Sequence, residues 1–313
     1  MKTTSILTLF IFTTVSAFLH CASIAHADTF GTGANQFDIE FVAIGDPDNP
    51  DDTTGDPNPG GKVEYAYRMG KFEISEDMID KANTLGGLGI THDNRGANKP
   101  ATSVSWFEAA TFVNWLNTSQ GHTPAYKFNG STFELWQSGD AGYNPNNLFR
   151  NSQAFYFLPS ADEWYKAAYY DPNAGVYYDY PTGSGVPDGI DFAGDTTFDA
   201  VFFDGGSNPQ PNDITDVGVL SPYGTAGQGG NVFEWEETEF DLVNDSTSSA
   251  RGVRGGTWSL NSDVLRSSNR FFDIPTYEND YIGFRVASIP EPSTALLGAL
   301  AAGGLLVWRR RLS

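Results

Sequence analysis

The amino-acid sequence predicts a loop-rich α+β fold with short strands and a few short helices. The chain has 313 residues, and its 34 Gly and 17 Pro favour turns over long helices. Aromatic residues make up 14% of the chain, which is enough large apolar surface to build a core and to exclude a disordered protein. Segments with the alternation typical of strands and two clear helix-start signals lie between the loops, so both kinds of element are expected.

The charge balance excludes one class of partner, and the residue counts exclude some kinds of site. The 18 Lys and Arg against 39 Asp and Glu give a net charge of −21. Nucleic acid is therefore not an expected partner, because binding to phosphates depends on basic residues. The single Cys rules out a disulfide within the chain, and four His make a poly-His catalytic metal centre a poor prediction.

Residues 1–27 have the features of a secretory signal peptide. Lys2 supplies the basic start, residues 6–19 are mostly apolar, and Ala25-His26-Ala27 is an A-x-A cleavage site. We expect cleavage after this site rather than lipidation of Cys21, because the residue before Cys21 is a bulky His. The exported chain would then contain no cysteine.

The first predicted elements of the exported domain, residues 28–288, are two strands and a short helix. Phe37 to Ile44 alternates apolar and polar residues as a half-buried strand does, and Tyr65 to Ile74 is the second strand candidate. Ser75 follows as the N-cap of a helix over about residues 76–84.

Two capping boxes mark the starts of two further helices. Ser105-Trp-Phe-Glu108 begins a helix that extends to about residue 118, and the apolar spacing along it places Trp106 in the core. Ser160-Ala-Asp-Glu163 begins a helix that extends to about residue 170. Both helices should pack one apolar face against the rest of the domain.

The remaining predicted elements are three strands and one long loop. Phe155 to Leu158 is a strand candidate before the last helix, and Val253 to Trp258 and Ile282 to Ala287 are the final strand candidates. Between them, residues 171–230 are rich in Gly, Pro, Asp and Asn. A loop of this length inside a compact domain usually has a functional or metal-stabilised reason.

The C-terminal residues 289–313 resemble a sorting signal. Pro290-Glu291-Pro292 precedes an apolar run over residues 294–308, and three arginines follow. As a helix the run would reach about 22 Å, short of the roughly 30 Å hydrocarbon core, so a weak membrane anchor is one interpretation. The three parts and their order are similar to the PEP-CTERM signal. This resemblance implies transient membrane insertion, processing by an exosortase, and delivery to the outer surface or extracellular matrix of a Gram-negative bacterium.

Six short motifs between these ends occur in a recognisable order. They are FEIS (72–75), PATSVSWFEAA (100–110), FLPSADEWYKAA (157–168), GGNVFEW (229–235), RGGTW (254–258) and IGFR (282–285). The set resembles the formylglycine-generating enzyme family, also called the sulfatase-modifying factor domain, over about residues 37–288. The resemblance implies that family's variant of the C-type lectin fold, which is a mixed α+β domain with long loops that is often stabilised by Ca²⁺.

The chemistry of the family's oxidases does not carry over to this sequence. In those enzymes two cysteines after the RGG motif hold copper, and the matching positions are about Leu260 and Leu265. We therefore expect no copper, no formylglycine-generating activity and no catalytic residue that can be named. His92 and His122 are too few for the three-His iron site of other relatives. A hidden pair of carboxylates acting on a glycoside stays an alternative.

Calcium is the cofactor that the resemblance does imply. In the family, the segment that matches residues 227–234 wraps a Ca²⁺ ion. Gly230 and Val232 would offer carbonyl oxygens here, and Glu234 would offer a carboxylate. The family's Asn ligand is replaced by Gly227, and water could take its place. The alternative is that Glu234 simply pairs with a nearby Arg.

The predicted ligand surface is the segment after the RGG motif, which faces the substrate in the family. Aromatic, Arg and amide side chains there are typical binding anchors. The candidates are Trp258, Ser259, Asn261, Arg266, Asn269 and Arg270. The alternatives are a core position for Trp258 and internal ion pairs for the arginines, above all for Arg254 and Arg285.

Together these patterns predict an exported surface or matrix protein whose domain binds or organises rather than catalyses. The expected partner is an exopolysaccharide or another surface protein. Without Lys2 and the three terminal arginines, 14 basic residues face 39 acidic ones, a net charge of −25. Such a surface repels anionic polymers and attracts Ca²⁺, although solubility alone also explains it. The alternative function is an enzyme of the same superfamily that uses an unrecognised site.

Overall fold

The computed structural model describes residues 26–190, 197–206 and 210–290. The helices are α1 (Glu76–Gly86), α2 (Trp106–Ser119) and α3 (Ala161–Tyr169). The strands are β1 (His26–Phe30), β2 (Phe37–Ile44), β3 (Tyr67–Gly70), β4 (Lys127–Asn129), β5 (Thr132–Glu134), β6 (Tyr156–Phe157), β7 (Tyr170–Asp171), β8 (Val176–Tyr177), β9 (Phe233–Glu239), β10 (Arg251–Arg254), β11 (Phe271–Asp273), β12 (Ile282–Gly283) and β13 (Ala287–Ser288). These many short elements confirm the predicted loop-rich α+β class.

The first of the two main sheets has five antiparallel strands in the order β1-β2-β3-β13-β6. In β2, Phe37 and Ile39 point into the core, as the alternation predicted. Ala287 of β13 lies between Met69 of β3 and Phe157 of β6. The last described strand therefore closes the sheet that the first strands begin, and the two ends of the domain stabilise each other.

The second main sheet has four strands in the order β11-β10-β9-β12. Every residue of β9, from Phe233 to Glu239, is buried, although four of the seven are glutamates. Buried carboxylates require charged or hydrogen-bonding partners, so the neighbouring strands must supply them. Strand β11 is the edge of this sheet and pairs only with β10 among the described strands.

The helix starts agree with the predictions. Ser105 and Ser160 each accept a hydrogen bond from the backbone N–H three residues later, and Glu108 and Glu163 complete both capping boxes. Ser75 caps α1, which ends two residues later than expected, before Gly87 in the left-handed conformation (φ 62°). Helix starts are predictable because capping depends on residues that are close in sequence.

The predicted strands other than β2 were too long. Residues 65–74 form only the four residues of β3, and residues 155–158 form only β6. The candidate over residues 253–258 is wrong at its end, because Gly255 and Gly256 have φ of 96° and 81° and turn the chain after Arg254. The last candidate is interrupted between β12 and β13, because the chain crosses there from one main sheet to the other.

Trp106 joins α2 to the second main sheet. Its side chain is fully buried, as predicted, and the ring packs edge-on against Tyr126 and Phe133 at centroid distances of 5.3 and 5.1 Å. The indole Nε1–H donates to the carbonyl of Glu236 at 2.9 Å, and the guanidinium of Arg251 lies 4.7 Å from the ring centroid. One side chain thus connects the helix, the aromatic core and a strand of the buried glutamates.

None of the helices among the described residues is long and apolar enough to cross a membrane. The predicted apolar segment 294–308 and most of the predicted signal peptide lie outside the described residues. Asp28, the first residue after the predicted cleavage site, lies in β1, where its carboxylate is 2.6 Å from a guanidinium nitrogen of Arg68.

Candidate functional site

A cavity of about 360 Å³, here called the aromatic cavity, lies beside β11 at the edge of the second main sheet. The ends of β9 to β12 and the loop that follows β10 form its walls. Four of its lining residues carry aromatic rings: Phe233, Phe271, Phe272 and Tyr281. The cavity is therefore suited to a ligand that offers flat or apolar faces.

The rings of the aromatic cavity are held by contacts with one another and by strand pairing. Phe233 meets Phe271 and Tyr281 edge-on, at centroid distances of 5.4 and 6.2 Å. The backbone of Phe271 lies opposite Val253 of β10. Phe271 and Phe272 nevertheless stay 38% and 58% exposed, so part of each residue is accessible to a ligand.

Polar groups in the aromatic cavity come from Thr257, Ser259 and Asp273. The Asp273 carboxylate accepts hydrogen bonds from the backbone N–H of Ile274 (2.8 Å) and from the side chain of Asn279 (2.5 Å). Both donors are neutral, and no described Lys or Arg forms an ion pair with Asp273. The Asp273 carboxylate is thus held in place by hydrogen bonds but is not ion-paired with a described Lys or Arg.

Beneath the cavity, β9 and β10 are joined by a buried charge cluster. The Glu236 carboxylate receives the Nε–H of Arg254 on one oxygen (2.7 Å) and that of Arg270 on the other (2.8 Å). All three side chains are almost inaccessible to solvent. Arg270 therefore acts inside the fold, as the internal ion-pair alternative has it, and is not placed to contact a ligand.

Of the six predicted ligand residues, Ser259 lines the aromatic cavity. Trp258 is buried, and the guanidinium of Arg95 lies 5.0 Å from its ring centroid. Asn261 accepts a bond from the N–H of Asp263 and caps a short 3-10 helix over Ser262–Leu265. Trp258 and Asn261 therefore make contacts that stabilise the fold.

Arg266 and Asn269 lie around the same 3-10 helix. The Nε of Arg266 is 3.4 Å from the Asp263 carboxylate, and its guanidinium lies over the ring of Tyr180. The Asn269 side chain donates to the carbonyl of Asp263. Arg266 is more than one-third exposed, so a ligand role for it stays a prediction.

The ring residues of the cavity are not among the site residues predicted from the sequence. Phe271, Phe272 and Asp273 follow directly after the last predicted ligand residue, and Tyr281 precedes the IGFR motif. The available signal was a pair of adjacent Phe in an otherwise polar segment. Such a pair does not by itself distinguish a buried strand from an exposed one.

The family of this domain follows from its sequence. Residues 54–289, well over half of the chain, match the family described as the sulfatase-modifying factor enzyme 1-like domain. The chain belongs to this family. Among curated proteins, hercynine oxygenase of Mycolicibacterium smegmatis is 29% identical over 149 residues, which are 42% of this chain and 32% of that protein. The chain thus spans about a third of the length of this relative.

Solved structures share the fold of this sulfatase-modifying factor-like domain. Variable protein 1 of Treponema denticola superposes with a TM-score of 0.60 at 18% identity. The superposition covers 84% of this chain and 99% of that protein. CarF has a TM-score of 0.59 at 17% identity, covering 81% and 99%. PvdO from Pseudomonas aeruginosa has a TM-score of 0.53 at 16% identity, covering 84% and 98%. At these identities the similarity concerns the fold alone, and it supports the predicted fold type.

The positions that match the copper ligands of the family's oxidases do not fit a metal. Leu260 is 42% exposed and lines the aromatic cavity, whereas Leu265 is fully buried. Both present hydrocarbon where a soft thiolate would be required. The chain's single cysteine, Cys21, lies in the predicted signal peptide. The side chains at these two positions thus offer copper no ligand, and Leu260 makes this part of the cavity wall apolar.

The predicted calcium ligand Glu234 has other partners. Its carboxylate forms a pair of bonds with the guanidinium of Arg285, and one oxygen also accepts the indole N–H of Trp164 at 2.7 Å. The structure therefore contains the Arg pairing that the sequence left open. A calcium ion held by Glu234 and the carbonyls of Gly230 and Val232 stays a prediction.

A second buried carboxylate, Glu73, approaches the same loop. A Cβ at Gly227 would lie 2.7 Å from a Glu73 oxygen, so the missing Asn side chain leaves space that Glu73 partly fills. One Glu73 oxygen accepts a bond from Asn231 at 3.0 Å, and the other has no hydrogen-bond partner among the described residues. Burial raises the pKa of Glu73 to about 7, although Arg285 opposes the shift.

The raised pKa of Glu73 makes stability depend on pH. The unfolded chain releases this proton near the ordinary pKa of 4.5, whereas the folded protein holds it until about pH 7. The stabilisation is complete below about 4.5 and is lost as pH rises through about 7. In buffer with a metal chelator, we expect Glu73→Gln to reduce the loss of unfolding free energy between about pH 5 and pH 8 by about 2–3 kcal/mol. Urea titrations at both pH values measure this, and equal losses in both proteins would contradict it.

Proposed function

We propose that this sulfatase-modifying factor-like domain is a non-catalytic binding module that recognises a glycan at the aromatic cavity. The observation that carries the proposal is a cavity lined by the exposed residues Phe271 and Phe272 and by Leu260, one of the two positions that match the cysteines of the family's oxidases. Sugar rings present flat C–H faces to aromatic side chains and hydroxyls to polar ones. Phe272 and Tyr281 offer the first kind of contact, and Ser259 offers the second.

An enzyme with an unrecognised site is the weaker alternative. Catalytic acids are commonly marked by raised pKa values in a cleft. Burial raises the pKa of Glu73 and Asp162, but neither residue lines the aromatic cavity. The carboxylate that does line it, Asp273, accepts two hydrogen bonds from neutral donors. These features suit recognition better than proton transfer.

We also propose that the module acts outside the cell. The predicted signal peptide and the PEP-CTERM-like end support export and sorting by an exosortase to the outer surface or matrix of a Gram-negative bacterium. An exopolysaccharide is the expected ligand in such a matrix, and a surface protein is the second candidate. The exposed rings Phe271 and Phe272 suit either partner chemically. Calcium is proposed only as a stabilising ion of the 227–234 loop.

Binding of the purified protein to exopolysaccharide extracted from the producing bacterium tests the proposal. We expect saturable binding that Phe272→Ala weakens about tenfold, because a stacked ring contributes on the order of 1–2 kcal/mol. Titrations with and without Ca²⁺ separate a direct role of the ion from a stabilising one. Isothermal titration calorimetry measures the affinity of each variant, with and without Ca²⁺.

The matched control is Leu220→Ala, which removes another exposed apolar side chain, 46% accessible, that does not line the cavity. It should bind as the wild type does. Equal binding by Phe272→Ala and wild type would move the site elsewhere. No binding by the folded wild type would reject the glycan module and favour a protein partner.

A further inference from the structure

The aromatic cavity continues into an exposed apolar strip. Phe272 lines the cavity and also contacts Phe240, with ring centroids 4.7 Å apart and an interplanar angle of 47°. Phe240 is 39% exposed, and Leu242 and Val243 beyond it are 47% and 53% exposed. We call Phe240, Leu242, Val243 and Phe272 the apolar strip. It extends the surface available to a ligand beyond the volume of the cavity.

The charged side chains that line the cavity or lie in the loop of the strip are carboxylates. Asp273 lines the cavity, and Asp241 lies within the strip's own loop, between Phe240 and Leu242. Neither carboxylate forms an ion pair with a described Lys or Arg. The Asp241 carboxylate accepts one bond from the N–H of Val243, a neutral donor. A ligand on this surface therefore meets two carboxylates that are not ion-paired with a described Lys or Arg.

The nearby arginines are buried and form no ion pair with these carboxylates, although Arg251 is close enough to Asp241 to interact with its charge. Arg270 lies beneath Phe240, but its side chain is 2% exposed and bonded to Glu236. Arg251 is fully buried, with its guanidinium stacked on Trp106 and Phe149. Among the described residues that line the cavity there is no Lys or Arg. The surface would thus repel uronic acids, sulfated sugars and phosphate groups at short range.

We propose that the glycan recognised here carries amino groups, as a de-N-acetylated amino sugar polymer does. This inference rests on the proposed glycan-binding function. A protonated sugar amine would pair with Asp273 at the cavity, while its ring packs against Phe272. Ammonium groups also interact favourably with aromatic faces. The apolar strip and Asp241 would hold the following sugar units, so the ligand is a chain rather than a single sugar.

Three soluble oligomers of equal length test this ligand class. They are a glucosamine oligomer, its fully N-acetylated form, and a uronic acid oligomer. At slightly acidic pH and low salt, we expect the amine form to bind about fivefold to tenfold more tightly than the N-acetylated form, because a partly buried ammonium pairs with a carboxylate and aromatic rings. The uronic acid oligomer should not bind. Physiological salt should reduce the preference.

Asp273→Asn keeps the shape of the side chain and removes its charge. It should abolish the preference for amines, so that the amine and N-acetylated oligomers bind with similar affinity. Asp216→Asn is the matched control, since Asp216 is exposed and does not line the cavity. That control should keep the full preference for amines. Unchanged thermal unfolding of both variants shows that any loss is not a folding defect.

The outcomes separate this inference from the function on which it rests. If both glucosamine forms bind equally, or the uronic acid oligomer binds best, the amine inference is wrong while a glycan module stands. The amine inference is also wrong if the Asp273→Asn variant keeps the preference for the amine oligomer. If no oligomer binds and the extracted exopolysaccharide also fails, both the inference and the glycan function are rejected.

Discussion

Replacement of Glu236 by Gln is expected to lower the free energy of unfolding by about 3–5 kcal/mol. Glu236 is the shared partner of Arg254 and Arg270, and all three side chains are buried. A neutral amide would leave two buried guanidinium groups without a balancing charge. The carbonyl oxygens that Arg254 and Arg270 also contact cannot supply one. Urea unfolding followed by tryptophan fluorescence measures the change.

The control for Glu236 is the ion pair of Asp263 with Arg266, which is exposed. Its atoms are 3.4 Å apart, and the side chains are 69% and 37% accessible. Exposed pairs contribute about 0–1 kcal/mol, so Asp263→Asn should change stability little. Similar losses in the two variants would mean that burial does not govern the strength of these pairs. The buried cluster of Glu236, Arg254 and Arg270 would then contribute no more to stability than an exposed ion pair does.

Replacement of Trp106 by Ala should cost about 3–5 kcal/mol of unfolding free energy. The substitution leaves a large space among the rings of Tyr126, Phe133 and Phe149 and removes the hydrogen bond to the Glu236 carbonyl. It also removes the ring against which the buried Arg251 packs. Thermal and urea unfolding should both report the loss.

Trp106→Phe separates the two contributions. It keeps an apolar ring in the core but loses the indole N–H that donates to Glu236. We expect a smaller loss, about 1–3 kcal/mol, from the unbonded carbonyl and the reduced ring size. A Phe variant as unstable as the Ala variant would show that the hydrogen bond, and not the filled volume, dominates.

Helix starts and one strand could be predicted because their signals are local. Ser105 and Ser160 each need a Glu three residues later, and the sequence contains both pairs. Strand β2 was predicted at its observed bounds, since its alternating side chains show which face is buried. Strand ends elsewhere were wrong. Where a strand stops depends on when its partner leaves the sheet, and that partner is distant in sequence.

The candidate site was predictable only in its position along the chain. The segment after the RGG motif does supply cavity residues, but among the six candidates only Ser259 was placed in its lining. Arg270 was instead drawn inward by Glu236, 34 residues away in sequence. Phe271 and Phe272 became exposed because β11 is an edge strand. Neither fact can be read from neighbouring residues.

The sequence by itself determined the chemical inventory and the local starts of structure. It contains a single cysteine, at Cys21, so thiolate chemistry in the domain was excluded before any fold was known. Capping boxes and alternation depend only on residues that are close in sequence, so they can be recognised without the fold. The tertiary structure alone decided which charges are buried in pairs and which rings face solvent. Those outcomes depend on strand order, because burial at a residue is set by whatever packs against it from elsewhere in the chain.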